Sequence, residues 1–350
     1  MNFASDNVAG AAPEILAALA RAAEGTASSY GADPYTARLE TALTELFETK
    51  VAAFPVATGT AANSLALASI CPPWGAVYAH ESSHVMVDEC GAPEMYTAGA
   101  KLVGLPGADG KITAADLDRA AGRWPRGAVH HVQAAAVSLT QATEAGTCYR
   151  PDEVAAIAEV AQRHGMRVHM DGARFANAVA WLGRSPADVT WRAGVDVLSF
   201  GATKNGALAA EVVVFFKPEL AADFAFRRKR AGHLFSKMRF LSAQLDAYLA
   251  DGLWLRLARN ANLMAARLAE GLAAIPGVRL AYPVEANEVF AELPERMIEG
   301  LLARGFVFYR WEGRVVRLVT AFNTEAGSVD ALLDAARSMA PNDDGRAAAG

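Results

Sequence analysis

The stretch Arg167-Val168-His169-Met170-Asp171-Gly172-Ala173-Arg174 decides the fold, together with its counterpart Val195-Asp196-Val197-Leu198-Ser199-Phe200-Gly201-Ala202-Thr203-Lys204-Asn205-Gly206. Each is a short, mostly apolar run that ends in a polar cassette. Runs of this kind are strands buried on both faces of a parallel sheet. Ligands of such sheets gather outside the carboxyl ends of the strands. Asp171 and Lys204 stand thirty-three positions apart, with a helix and a strand between them. Each residue has an ordinary reading, since most lysines are solvated and most strand-end aspartates cap the next helix. Together they can hold the two ends of one flat ligand.

The same alternation extends outward from these cassettes. Asp33-Pro34 reads as a cap and first-turn proline that open a helix to about residue 47. The sequence then predicts a strand over 51–57, a helix over 59–70 and a strand over 76–80. A capped helix starts near Thr113, a strand covers 131–139 and a helix covers 151–164. One more strand, over 210–216, is apolar after Glu211. This predicts an α/β fold, with a mostly parallel central sheet covered by helices on both faces. A long helical region is expected over 218–273. Shorter strands and helices follow over 278–339 and read as a smaller C-terminal α+β domain. The predicted division is an N-terminal arm at 1–14, a large domain at 15–250, a small domain at 251–340 and a frayed tail at 341–350.

Composition limits the function. The chain has 350 residues, 53% of them hydrophobic and 20% charged, enough for a substantial core. Its net charge of −5 argues against a nucleic-acid reader. The densest basic cluster, Arg227-Arg228-Lys229-Arg230, is either a solvated helix face or an anion site. Cys71, Cys90 and Cys148 are too few and too scattered for a disulfide framework or a metal knuckle, and read as reduced core residues of a cytoplasmic protein. No run of about 18 apolar residues predicts a membrane span.

Two further motifs carry chemistry. Thr58-Gly59-Thr60-Ala61-Ala62-Asn63 joins a strand to a helix, and exposed N–H groups at a helix start favour an anion such as phosphate. An ordinary capped turn has the same composition. His80-Glu81-Ser82-Ser83-His84 matches the H-E-x-x-H pattern of zinc hydrolases. That chemistry needs both histidines on one helix face. Here the motif leaves a strand, its two central serines favour a turn, and no third ligand follows. Alternatively His84 acts alone, stacked on a flat ligand, or sits in a surface turn. The acid, the amine and the anion cradle together suggest pyridoxal phosphate.

The chain resembles the threonine aldolase and β-eliminating lyase family of pyridoxal-phosphate enzymes, specifically low-specificity L-threonine aldolases and phenylserine aldolases. The likeness rests on residues 3–7, Tyr30-Gly31, 58–63, 84–91, 169–174, 199–206 and Val316-Arg317-Leu318-Val319-Thr320. It implies the fold-type-I architecture of these enzymes. It implies that Lys204 carries the cofactor, Asp171 partners the ring nitrogen and His84 stacks on the ring. Gly59 and Thr60 match the phosphate cup, with Arg239 as a further phosphate contact. Arg174 and Arg317 match arginines near the cofactor and the substrate carboxylate, assisted by Ser5. Tyr30 matches a tyrosine near the site, often supplied across a subunit boundary.

The activity so implied is cleavage of threonine, allo-threonine or related β-hydroxy-α-amino acids to glycine and an aldehyde. The alternatives within the family are a phenylserine preference, a β-eliminating lyase or an aminotransferase. A zinc hydrolase built on His80, Glu81 and His84 is the alternative from another class. The resemblance also implies a homo-oligomer, dimer or tetramer, with shared active sites. In one place the chain departs from the family. Many members have a histidine contacting the substrate hydroxyl in the loop after residue 139, where this chain has Glu144. Glu144 and His84 are both candidates for the base.

Overall fold

A seven-stranded sheet forms the centre of the computed structural model, which describes residues 1–340. Its strands in chain order are β1 (Ala52–Val56), β2 (Gly75–His80), β3 (Lys101–Leu105), β4 (Gln133–Thr140), β5 (Arg167–Gly172), β6 (Val197–Gly201) and β7 (Glu211–Phe215). Their spatial order is β1-β7-β6-β5-β4-β2-β3. The pairs β2–β3, β2–β4, β4–β5 and β5–β6 are parallel, and β7 runs antiparallel to both its neighbours. Every residue of β6 and β7 is buried, as their apolar sequences require.

Helix Gly59–Ile70 follows β1 and is buried nearly all round. The side chain of Thr58 caps it by accepting the Ala61 N–H at 3.2 Å. Helix Phe175–Leu182 follows β5. Under the sheet lies an aromatic cluster in which Phe200 of β6 meets Phe47, Phe175, Tyr248 and Trp254 at ring separations of 5.7 to 6.3 Å.

A second, four-stranded sheet is antiparallel. It contains β8 (Arg279–Leu280), β9 (Glu288–Glu292), β10 (Tyr309–Glu312) and β11 (Val315–Val319), in the order β10-β11-β9-β8. Helices Glu295–Ala303 and Ala326–Arg337 pack on it around a separate apolar core. Helix Leu253–Ala273 serves both cores: Leu253, Trp254 and Ala258 join the first, and Met264 to Leu272 the second. The N-terminal segment crosses to the smaller sheet. Phe3 N–H donates to Val307 O at 2.7 Å, and Val319 N–H donates to Phe3 O at 2.8 Å.

The strand-and-helix alternation over 51–216 matches the sequence reading, but four local expectations are corrected. The expected single helical region over 218–273 is broken into helices Phe224–Arg230, Arg239–Leu249 and Leu253–Ala273. Gly232, Asp251 and Gly252 adopt positive φ at its breaks, where a helix cannot continue. Strands β3 and β10 were not expected, because their half-exposed or exposed residues lack an apolar run. The basic cluster is a solvated face only in part: Lys229 and Arg230 are exposed, but Arg227 pairs with Asp223, and buried Arg228 donates to Pro55 O at 3.2 Å beside the Phe54 ring. Cys90 is exposed rather than in the core, although Cys71 and Cys148 are buried.

The expected frayed tail lies outside the described residues. Among the described residues no helix is long and apolar enough to cross a membrane.

Truncating Phe200 removes the ring on which four other aromatic groups converge. Phe200→Ala is expected to cost about 3–5 kcal/mol of stability. A thermal melt of the variant, compared with wild type, checks this, and an unchanged midpoint contradicts it.

Candidate active site

The carboxyl ends of β4, β5 and β6 face the start of helix Gly59–Ile70 across a cavity of about 360 Å³. Gly59, Thr60, His84, Glu144, Asp171, Arg174 and Lys204 all line it. Seven of the residues singled out in the sequence therefore converge. Asn7, Thr203 and Glu211 line it too.

Asp171 is held at the end of β5 by two donors. Ala173 N–H reaches Oδ1 at 3.0 Å, and the Asn63 Nδ2 amide reaches Oδ2 at 2.8 Å. The same amide nitrogen donates to Glu89 Oε1 at 2.8 Å, and His84 Nδ1 lies 2.8 Å from that oxygen. A buried chain thus runs from His84 through Glu89 and Asn63 to Asp171. The bond to Glu89 is the main cause that raises the His84 pKa above its ordinary value, against the burial that opposes it. Burial pushes Glu89 itself upward, with His84 opposing. Behind Asp171, His169 is fully buried between the hydroxyls of Ser138 and Ser199, at 2.8 and 2.9 Å. Burial lowers its pKa to about 4, so it stays neutral.

Lys204 sits in the single-turn helix Thr203–Asn205 directly after β6. Asn205 locks this turn by donating to Tyr248 Oη at 2.7 Å and Trp254 O at 2.9 Å. Gly206 leaves it at φ +108°, a conformation that L side chains rarely adopt. Glu144 follows β4, and its Oε1 accepts the His84 backbone N–H at 3.3 Å.

Arg174 lines the cavity but is already engaged. Its Nε and Nη2 reach the two oxygens of Asp6 at 2.7 and 3.0 Å, and Nη1 lies 3.3 Å from Glu288 Oε2. Burial would lower its pKa, but these carboxylates outweigh that and raise it.

Four expected residues are not brought to the cavity wall. Ser5 caps the short turn Asp6–Val8, its hydroxyl accepting the Asn7 N–H at 3.1 Å. Arg317 donates to Ala4 O at 3.3 Å, stacks on Tyr309 and Trp311, and keeps a buried Nε without a partner. Arg239 opens its helix beside Phe240. Tyr30 is half-exposed on a neighbouring hollow shared with Leu208, Lys229 and Phe235.

The H-E-x-x-H motif does not form a ligand pair. His80 ends β2, with Nδ1 2.8 Å from Ser82 Oγ and Nε2 3.1 Å from Gly107 O. His84 begins the next helix and turns to Glu89.

The β-eliminating lyase family model matches residues 2–296. The chain belongs to this family. It is 48% identical to a low specificity L-threonine aldolase of Pseudomonas aeruginosa, over 94% of this chain and 95% of that one. Among solved structures, Leishmania major threonine aldolase superposes with a TM-score of 0.90 at 30% identity, covering 96% of this chain and 98% of the other. Sphingomonas wittichii serine palmitoyltransferase shares the fold alone, with a TM-score of 0.71 at 16% identity over 97% and 86%.

Asn63, Glu89, Asp6 and Glu288 were not singled out from the sequence. Asn63 and Glu89 lie inside the segments that carry the resemblance, but only the fold shows that they touch. Replacing Glu89 by glutamine keeps an acceptor near His84 and removes its charge. Glu89→Gln is expected to lower the His84 pKa, read from the ring C–H shifts in a proton NMR titration. An unmoved titration contradicts the role given to this bond.

Proposed function

We propose that the protein is a pyridoxal-phosphate-dependent aldolase that cleaves β-hydroxy-α-amino acids such as threonine to glycine and an aldehyde. The observation that carries this reading is the convergence of Lys204 and Asp171 on one cavity, closed by the capped start of helix Gly59–Ile70. The donor set fits the cofactor. The helix start offers N–H groups to its phosphate, the anchored turn offers an amine to its aldehyde, and Asp171 offers an acceptor to its ring nitrogen. When bound, the cofactor supplies a sink for the electron pair released as the Cα–Cβ bond breaks.

The chain's own residues do the rest. Lys204 would hold the cofactor through its amine. Asp171 keeps the ring nitrogen protonated, and the hydrogen bonds from Asn63 and Ala173 fix that carboxylate in place. His84, oriented by Glu89, would pack against the bound cofactor. Gly59 and Thr60, on the cavity wall, would hold the phosphate.

We assign the substrate carboxylate to Arg317, with Ser5 beside it, because the Nε of Arg317 is unpartnered while Arg174 is engaged by Asp6 and Glu288. Glu144 accepts the hydrogen bond of the substrate hydroxyl and takes its proton, with His84 as the neighbouring base.

The exposed apolar residues Leu208 and Phe235 line the neighbouring hollow with Tyr30, and Ala57 and Ala209 are shared between that hollow and the cavity. They support a homo-oligomer, a dimer or tetramer, in which a second copy covers this face. We also propose the division at 15–250 and 251–340, with helix Leu253–Ala273 bridging both cores. The free cysteines support a cytoplasmic location.

Lys204→Ala tests the central claim. The variant is expected to fold, to lose the visible absorbance of the bound cofactor and to lose nearly all threonine cleavage. A yellow, active variant overturns it. Glu144→Gln keeps the shape and removes the charge. It is expected to lower turnover by about 100-fold or more if Glu144 is the base, while leaving the cofactor's absorbance intact. Equal rates for threonine and phenylserine in both proteins return the base role to His84.

A further inference from the structure

Glu211 is a buried acid that the reaction as described does not use. It opens β7 and pairs in register with Val56 of β1 on one side and Gly201 of β6 on the other. That register sets it between the helix start at Gly59 and the turn that holds Lys204, and its side chain lines the same cavity. It is only 7% exposed. One oxygen accepts the Ala202 N–H at 3.1 Å. Among the described residues no lysine, arginine or histidine forms an ion pair with it.

Three ionisable groups bear on this carboxyl. Asp171, at the end of β5, repels negative charge there. Tyr248, on helix Arg239–Leu249, is neutral: burial pushes its phenol up, and the bond from Asn205 opposes this. Lys204 is the only one that favours the ionised form. Burial is the largest influence and lifts Glu211 to about 7, with Thr203, Ala202 and Lys204 opposing.

We propose that Glu211 is the positioning residue that holds the proton of Lys204. An ammonium group cannot attack a carbonyl carbon, so Lys204 must first lose a proton. That proton passes from Lys204 Nζ to a Glu211 carboxylate oxygen, leaving a neutral amine and a neutral acid. Once the ammonium has gone, burial and Asp171 favour the protonated form against only the bonds from Thr203 and Ala202, so the proton stays. When the substrate amine frees Lys204, the proton returns. The transfer needs no other reactant. Its acceptor also holds the turn of Lys204 through Ala202, so position and protonation are set by one side chain.

This inference rests on the reading of Lys204 as the cofactor's tether, and the test separates the two. Carbon NMR of protein labelled at glutamate carboxyls follows Glu211, assigned by the signal missing from Glu211→Asp. In Lys204→Ala the cation is gone, and the Glu211 midpoint is expected to rise by about one pH unit, tenfold in proton affinity. In Glu211→Gln the pH midpoint of cofactor absorbance in the holoenzyme is expected to move, and the pH profile of kcat with it, while KM for threonine changes little. A colourless Lys204→Ala in which the Glu211 midpoint is unmoved overturns the proposal and leaves the tether intact. A yellow Lys204→Ala overturns the tether itself, and the proposal with it. The NMR arm does not depend on whether Glu211→Gln folds.

Discussion

One buried ion cluster holds the three parts of this chain together. Arg174 follows β5 of the large sheet, Asp6 belongs to the N-terminal segment, and Glu288 opens β9 of the small sheet. Their side chains meet with almost no water, at 2.7 to 3.3 Å. Asp6 takes the better geometry, a two-point contact with the guanidinium, and Asn287 adds a donor at 3.1 Å. Burial would raise the Asp6 pKa, yet Arg174 and its neighbours bring it below the usual range. Glu288 has only an unaligned contact, and burial lifts it to about 6 against the pull of Arg174. A buried pair of this kind gains little over an apolar packing, but removing one partner strands the others. Its value is therefore positional. It fixes the N-terminal segment where Arg317 can donate to Ala4 O, and so fixes the arginine assigned to the substrate carboxylate.

The carboxylates around the cavity differ in their donors, and the differences follow from the sheet. Asp171 ends a parallel strand, where the next turn supplies a backbone N–H and the facing helix supplies an amide. Glu211 begins the one reversed strand, so it enters the same space from the opposite chain direction. It finds one backbone N–H and the hydroxyl of Thr203. Glu89 shares a donor with Asp171 and faces an imidazole. One fold thus gives neighbouring acids different environments, the condition under which they take different roles in proton chemistry.

The fold was legible because its signals are local. Helix Gly59–Ile70 shows its own cap, β5, β6 and β7 are apolar runs, and the cassettes after β5 and β6 carry unusual residues in fixed order. The site was legible where a residue's neighbours in sequence shape it, as with Lys204 between Phe200 and Gly206. It was not legible where the partner is remote. Arg174 and Asp6 lie 168 positions apart, and Asn63 and Asp171 lie 108 apart. No spacing rule predicts either contact. For the same reason the sequence could not show that Asp6 and Glu288 lie against Arg174. Strand β10 was hidden differently: its residues are exposed, so the burial that writes a strand into sequence is missing.

Helix Leu253–Ala273 ties two sheets with separate cores into one frame. Its first turns pack under the aromatic cluster that supports β6, and Trp254 O accepts the amide of Asn205 beside Lys204. Its later turns pack in the core of the small sheet, whose strand β11 carries Arg317. Thr320, just past that strand, donates its hydroxyl to Ala261 O of the same helix at 2.7 Å. The amine assigned to the cofactor and the guanidinium assigned to the substrate are thereby referred to one continuous helix. Its 21 residues contain no proline to kink it, so it is one continuous element along both cores. The distance between those two groups is set by this helix and by the Arg174 cluster, not by the loops that separate them in sequence.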